Sequence, residues 1–396
     1  MISKAEALQH IAGVEPIADT EHVALQSGVG RVLAAPVIAQ HTHPPDNMSA
    51  MDGYATRIAD CRLGETLTVI GEAAAGHPFS GTVRAGACVR VFTGSVIPTG
   101  ADHVIIQEDV ARRDDTIEVS DAQGTARHIR AAGIDFKSGD ILIPAGTRLS
   151  ARQLSICAAA NLAELQVRRR PRVALLANGD ELRPPGSKLK PGQIIASNEY
   201  SLTALIEAWG GQVDNLGIAP DDPDEIKARI QGAEQADVFV PVGGASVGDH
   251  DHMKNVFAAL AFEPVFSKVA VRPGKPTWMS RGQDQWVLGL PGNPASALVC
   301  AHLFLKPLIA HLLGGGDEVT TIRARLSSDL KANGGREAFL RGRLEHSNAG
   351  ERIVSPAGNQ DSSLLSPFVT SNVLIHRAVD APALNAGDAV DCVVLD

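Results

Sequence analysis

The sequence predicts a multidomain chain of mixed α/β and β structure, built around a doubly wound α/β domain in its second half. Three textures predict it. Across 171–315, short apolar runs alternate with stretches of helical length, which implies right-handed βαβ units and an open, largely parallel sheet covered on both faces. Across 64–119, and again across 316–396, short apolar strands are separated by Gly, Pro and Asp. With 396 residues, 44% of them hydrophobic and 20% charged, the chain has an ordinary globular composition and enough length for roughly two to four domains.

In chain order, residues 3–12 read as a short helix, followed by mixed turns to about Pro45. PPDNMSAMDGYA (44–55) is periodic neither as helix nor as strand and reads as an irregular loop of the kind that binds a ligand or packs at an interface. ETLTVIGEA, ACVRVFTGS, DHVIIQEDV and DTIEVS read as strands, with VFTGSVIPTGADHVIIQED (91–109) forming a β-hairpin region that turns at 93–95. KSGDILIPAGTRLS (137–150) leads into a helix over 151–165. The basic run RRRPR (168–172) marks a boundary and reads as a solvated linker, with an anion contact as the other reading. Beyond it the sequence predicts strands at 172–178, 212–220, 237–243, 264–271 and 285–291, and helices at 198–210, 223–235, 252–262 and 294–313. FLRGRLEH, RIVSPA, NVLIHRAV and DAVDCVVLD then predict a small C-terminal β-barrel or sandwich.

The formal net charge of −9 argues against a general nucleic-acid binder, which needs a basic footprint. An anionic ligand must then be held by a local basic cluster or by backbone N–H groups. The five cysteines, Cys61, Cys88, Cys157, Cys300 and Cys392, are scattered and contain no C-x-x-C pair, as expected of a reducing compartment without a structural zinc. The N-terminus lacks an apolar signal region. The most apolar stretch, 295–313, carries His302, Lys306, Pro307 and His311 and reads as a buried helix rather than a membrane span. A soluble cytoplasmic protein is expected.

In an open α/β sheet, ligands sit beyond the carboxyl ends of the strands. The loops there are ANGDEL (177–182), APDD (219–222), GGASVGDHD (243–251), RPGKP (272–276) and LPGNP (290–294), which bring Glu181, Asp221, Asp251, Arg272 and Lys275 to one edge. Gly243 and Gly248 have the spacing of a phosphate loop, but Asp249 and His250 stand where Lys and Ser or Thr would complete a Walker A motif. Backbone N–H groups of Gly244, Ser246 and their neighbours can still bind an anion; the plainer reading is a turn into a helix capped by Asp249 or Asp251. Glu181, Asp221, Asp249 and Asp251 are hard oxygen donors of the kind Mg²⁺ prefers, and a magnesium ion would reconcile them with a phosphate loop. His250 and His252 read as surface residues at a helix start. Lys268, Arg272 and Lys275 are expected on one face, as a site for a tetrahedral oxyanion or phosphoryl group. Pro291, Gly292, Asn293 and Pro294 either cap the last helix or approach the ligand closely at Gly292.

The ordered set NMSAMDGYA, FTGSVIPTGADHVIIQED, GDEL, GGASVGDHD, RPGKP and LPGNP resembles the molybdopterin molybdenumtransferase family, MoeA-type in bacteria and represented in animals by the gephyrin E domain. The resemblance runs over essentially the whole chain. It implies an N-terminal dimerisation region (1–45 and 131–170), an inserted β domain (46–130), a molybdopterin-binding α/β domain (171–315) and a C-terminal β domain (316–396). It also implies a homodimer with each active site completed by the partner's N-terminal loops, and working partners in a molybdopterin adenylyltransferase and recipient molybdoenzymes. The implied reaction converts adenylylated molybdopterin and molybdate into molybdenum cofactor with release of AMP, dependent on Mg²⁺. Carried over by motif, Asp52, Thr93, Glu181, Asp221, Asp251, Lys268 and Lys275 match functional positions, with Arg272 where the family often has Lys. Ser362 aligns with a family serine, with Ser363 as the alternative. Asn178 and Ala245 depart from the family's usual residues without removing a charge. Two rival readings are a molybdopterin adenylyltransferase, which shares the α/β core, and a non-catalytic scaffold.

Overall fold

A computed structural model describes residues 1–121, 123–124, 127–244, 252–315 and 319–395. Two separate stretches of sequence pair to make the N-terminal region. Thr20–Ala24 lies against Glu164–Arg168, Val37–Ile38 against Ile141–Ile143, and Met48–Ser49 against Ile129–Arg130, all antiparallel. The helix expected over 151–165 stops as Ala151–Ala159; Asn161 adopts a φ of 64°, which ends the helical run and lets the chain re-enter as the Glu164–Arg168 strand.

Between those stretches lies a six-stranded sheet ordered His103–Ile106, Gly53–Thr56, Ala87–Val91, Thr66–Ala73, Thr116–Val119, Val110–Arg113. Two expectations are corrected here. The 44–55 stretch is not simply irregular, because it supplies the Gly53–Thr56 strand; all four of its residues are buried, so no in-and-out alternation existed to be read. Gly53 is needed there, since an added Cβ would run into the carbonyl oxygen of Ile105 on the adjacent strand. Nor is 91–109 a hairpin: Ala87–Val91 and His103–Ile106 both pair with Gly53–Thr56, which lies between them.

The α/β sheet is ordered Gln212–Ala219, Arg172–Asn178, Val238–Val242, Trp286–Gly289, Trp278–Arg281, Glu263–Phe266. Its first four strands are parallel; Trp278–Arg281 runs against them, and Glu263–Phe266 pairs antiparallel with it at the edge. The single strand expected over 264–271 is therefore two. Glu263–Phe266 edges this sheet, whereas Val271–Arg272 leaves it to pair with Glu337 and Ala338 of the C-terminal region. The antiparallel Trp278–Arg281 strand was not foreseen.

The apolar 294–313 stretch forms Pro294–Cys300, a π turn over Ala301–Leu305, and Lys306–Leu312. Pro307 explains the π turn: it has no N–H to offer the preceding turn, and its ring crowds the carbonyl four residues back. Pro294–Leu312 is apolar enough to cross a membrane, at 19 residues and a mean hydropathy of 1.5, but 94% of it is buried inside the fold. It anchors the largest core. Phe304, Leu305, Leu308 and Ile309 meet Ala7 and Ile11 of the N-terminal helix, Leu175 and Val240 of the sheet, and Phe339 and Leu374 of the C-terminal region. Each such side chain contributes roughly 1.5–3 kcal/mol by burial.

The C-terminal strands close into a barrel. Glu337–His346 pairs with both Arg352–Pro356 and Val373–Arg377, and Thr321–Leu326 and Ala389–Val394 complete the ring. The basic run is not a solvated linker. Arg168 donates to Ile17 O at 2.6 Å, while Arg169 makes a two-pronged pair with Asp237 at 2.9 Å and 2.9 Å and reaches Asp19 at 3.2 Å. It bolts the N-terminal region to the α/β sheet.

Candidate active site

A cleft of about 990 Å³ opens at the carboxyl ends of the parallel strands. Asn178 ends one strand and Val242 the next, and the cleft is floored by Gly243, Gly244 and Pro291–Gly292. Close packing explains the glycines: an added Cβ on Gly292 would lie 3.3 Å from Gly243 Cα, and one on Gly243 would lie 2.7 Å from Asn178 O. Asn178, 4% exposed, donates from Nδ2 to Pro220 O at 3.0 Å, tying the Asp221 loop to the Glu181 loop. Asp221 N donates to Asp180 Oδ1 at 3.1 Å, so Asp180 is spent on holding the loops together. Glu181 lines the cleft, its carboxylate folded over Gly179, where any side chain would collide with it. Asp221 is exposed beside that loop and does not line the cleft itself.

Cations line the same cleft. Arg272 and Lys275 line it on either side of the Pro273–Gly274 turn, and Arg336 reaches it from the barrel, donating to Val271 O at 3.3 Å. Lys268 does not join them. It stands half-buried outside the cleft, because the chain leaves the sheet after Phe266 and Lys268 and Arg272 never share a strand. Arg336 was missed because nothing in the sequence ties a barrel residue to this sheet.

The turn before the Pro294–Cys300 helix lines the cleft as well. Asn198 Nδ2 donates to Gly292 O at 2.8 Å and Asn293 Nδ2 to Ser362 Oγ at 3.0 Å. Ser362 and Ser363 both line the cleft, but in different ways: Ser363 Oγ donates to Asp361 at 2.6 Å and holds that carboxyl below its usual range, while Ser362 accepts from Asn293 at its hydroxyl and from Ala295 N at its carbonyl. The loop that carries them is clamped by Arg341, 2% exposed, whose guanidinium donates to Leu364 O at 2.7 Å, Asp361 O at 2.9 Å and Asn359 O at 3.2 Å. Arg341, likewise unforeseen, has its guanidinium pKa lowered by burial.

Asp52 and Thr93 stand together but apart from the cleft. Asp52 Oδ1 accepts from Thr93 N at 2.7 Å and Thr93 Oγ1 at 2.9 Å, and these bonds lower its pKa. Ser246, Gly248, Asp249 and Asp251 lie outside the described residues, so their expected roles are not placed.

Three family models cover the chain in sequence. The MoeA N-terminal region (domain I and II) matches residues 2–161, a probable molybdopterin binding domain matches 174–311, and the MoeA C-terminal region (domain IV) matches 323–395. A molybdopterin molybdenumtransferase of Haemophilus influenzae is 36% identical over 375 residues, 94% of this chain and 93% of that protein. The chain belongs to the molybdopterin molybdenumtransferase family.

Another molybdopterin molybdenumtransferase, from Nostoc sp., is 34% identical over 94% of this chain and 88% of its own length. The molybdopterin biosynthesis MoeA protein of Pyrococcus horikoshii superposes over 100% of both chains with a TM-score of 0.87 at 28% identity. Membership of the molybdenumtransferase family makes the chain a transferase enzyme of molybdenum cofactor biosynthesis and places molybdopterin chemistry in the 174–311 region. Magnesium, which the family resemblance implies, fits the donors present. Among the described residues no three His, Cys, Asp or Glu cluster as a protein-only metal site. Glu181 and Asp221 offer two carboxylates on neighbouring loops, and Mg²⁺ takes one or two such groups with phosphate oxygens and water.

Proposed function

We propose that the protein inserts molybdate into adenylylated molybdopterin, releasing AMP and forming molybdenum cofactor in the cytoplasm. The observation that carries this reading is one cleft with an acidic wall at Glu181 and a cationic wall at Arg272, Lys275 and Arg336. A phosphoanhydride and a tetrahedral dianion must be brought together, and those walls suit one partner each. Backbone at Gly243–Gly244 and the Pro291–Pro294 turn approach the pterin's phosphate end, with Asn178 and Asn198 presenting buried Oδ1 acceptors that have no partner among the described residues. Glu181 and Asp221, with Asp249 and Asp251, would hold Mg²⁺, which when bound neutralises phosphate charge. Arg272, Lys275 and Arg336 attract molybdate and stabilise charge on the phosphoryl oxygens as the phosphoanhydride breaks. The planar fork of Arg272 suits an oxyanion where a lysine would offer a point charge.

The working unit is proposed to be a homodimer, with Asp52 and Thr93 of one protomer completing the cleft of the other. Two facts support it. The pair is fixed by two hydrogen bonds and stands outside the cleft of its own chain. Ile38 and Ile141 sit side by side on paired strands at 48% and 66% exposure. The direct test is AMP release from adenylylated molybdopterin on adding molybdate. Glu181→Ala and Lys275→Ala should each lower it by ~10²–10³-fold with the circular dichroism spectrum unchanged, the usual scale for removing a group that stabilises developing charge. Normal release by either variant refutes its assigned role. Consumption of ATP on metal-free molybdopterin would favour adenylylation instead.

A further inference from the structure

We infer that Thr277 and Cys300 are positioning residues for the proposed oxyanion wall, acting through the carbonyl of Gly274 to set where Arg272 and Lys275 stand. The inference rests on the cationic wall being the oxyanion site. Gly274 lies between the two cations at a φ of 118°, buried, with Cys300 Sγ so close beneath that an added Cβ would collide with it. Thr277 and Cys300 are each 0% exposed. Gly274 O accepts from Thr277 N at 3.1 Å and from Thr277 Oγ1 at 2.8 Å. Thr277 Oγ1 also reaches Cys300 Sγ at 3.1 Å as a second acceptor for its proton, and Cys300 Sγ in turn donates to Gly274 O at 3.8 Å. Burial pushes the Cys300 thiol up to about 12, so it remains a donor across the physiological range.

The flanks of the turn are held separately: Val269 N donates to Lys275 O at 3.1 Å, Val271–Arg272 pairs with Glu337–Ala338 of the barrel, and Arg336 donates to Val271 O at 3.3 Å. Those contacts fix the ends of the turn, while Thr277 and Cys300 fix its apex. Two cations binding one small oxyanion must keep their spacing to within a fraction of an ångström, so the apex sets affinity more than stability.

The experiment compares the full chain with Thr277→Val, Thr277→Ser and Cys300→Ala, measuring binding of molybdate alone and of AMP alone by calorimetry, with a thermal melt of each. Thr277→Val keeps the shape and loses the hydroxyl. It should weaken molybdate binding about tenfold, the effect of one lost buried hydrogen bond, with AMP affinity unchanged. Thr277→Ser should restore molybdate binding. If Thr277→Val does not fold, Cys300→Ala carries the same comparison with a smaller loss. Molybdate affinity at the wild-type level in the folded variants overturns the positioning role. So does a loss shared equally by molybdate and AMP, which marks general loosening. A wild-type chain that binds AMP but no molybdate overturns the oxyanion reading itself, and this inference with it.

Discussion

Asp52 and Thr93 show how a residue pair can be chemically prepared without touching the cleft of its own chain. Two donors from Thr93, backbone first and hydroxyl second, favour the charged form of Asp52 and lower its pKa from the usual 3.8. A carboxyl depressed in this way stabilises the fold above its unfolded-state value, and that stabilisation is lost as pH falls through the lower folded-state value. Carboxyl NMR should therefore place the Asp52 midpoint below that of an ordinary aspartate, and Thr93→Val, which keeps the backbone bond, should move it part of the way back up; a midpoint indifferent to Thr93→Val refutes the hydroxyl's share, and a midpoint at the ordinary value in the wild type refutes the cause. At this scale much was legible. Glu181, Arg272, Lys275, Gly243, Gly292 and Asn293 all line the cleft as read from their loops, and Ser362 and Ser363, offered by the family resemblance, line it too. Lys268 was misplaced because residue spacing predicts a shared face only within one strand, and the strand ends before it. Arg336 and Arg341 carried no local signal.

Among the elements, the 294–312 helix packs along the largest core cluster described. Its apolar run identified it from sequence, yet its π turn and its contacts to three regions emerge only when Pro307 must be accommodated in a crowded core. Phe304 is 0% exposed at the centre of that core. Phe304→Ala should cost about 3–5 kcal/mol and lower the urea midpoint measured by fluorescence and circular dichroism together. Loss of only one region's signal would show that the core is not shared. The strands that misled the reading have a common cause. Gly53–Thr56 is buried on both faces and Val271–Arg272 pairs with a distant partner, so neither writes a period-two pattern into the sequence.

For the molecule as a whole, the decisive prediction concerns assembly. Ile38→Glu combined with Ile141→Glu should convert a dimer to a monomer in analytical ultracentrifugation and abolish AMP release while the melting temperature falls only slightly. A fully active monomer would end the proposal that Asp52 and Thr93 serve a partner's cleft. By itself, the sequence determined the alternation that makes the α/β sheet, the loops at its carboxyl edge, the strand-rich character of the stretches before and after it, and the buried nature of the apolar helix. These are local properties, set by the periodicity of side chains and by the conformational limits of Gly and Pro. Tertiary structure alone decided the closure of the C-terminal barrel, the bolting of Arg169 to Asp237, and the arrival of Arg336 at a cleft formed by another region. Those contacts join residues far apart in the chain, and their energy depends on where the backbone of each partner finally stands.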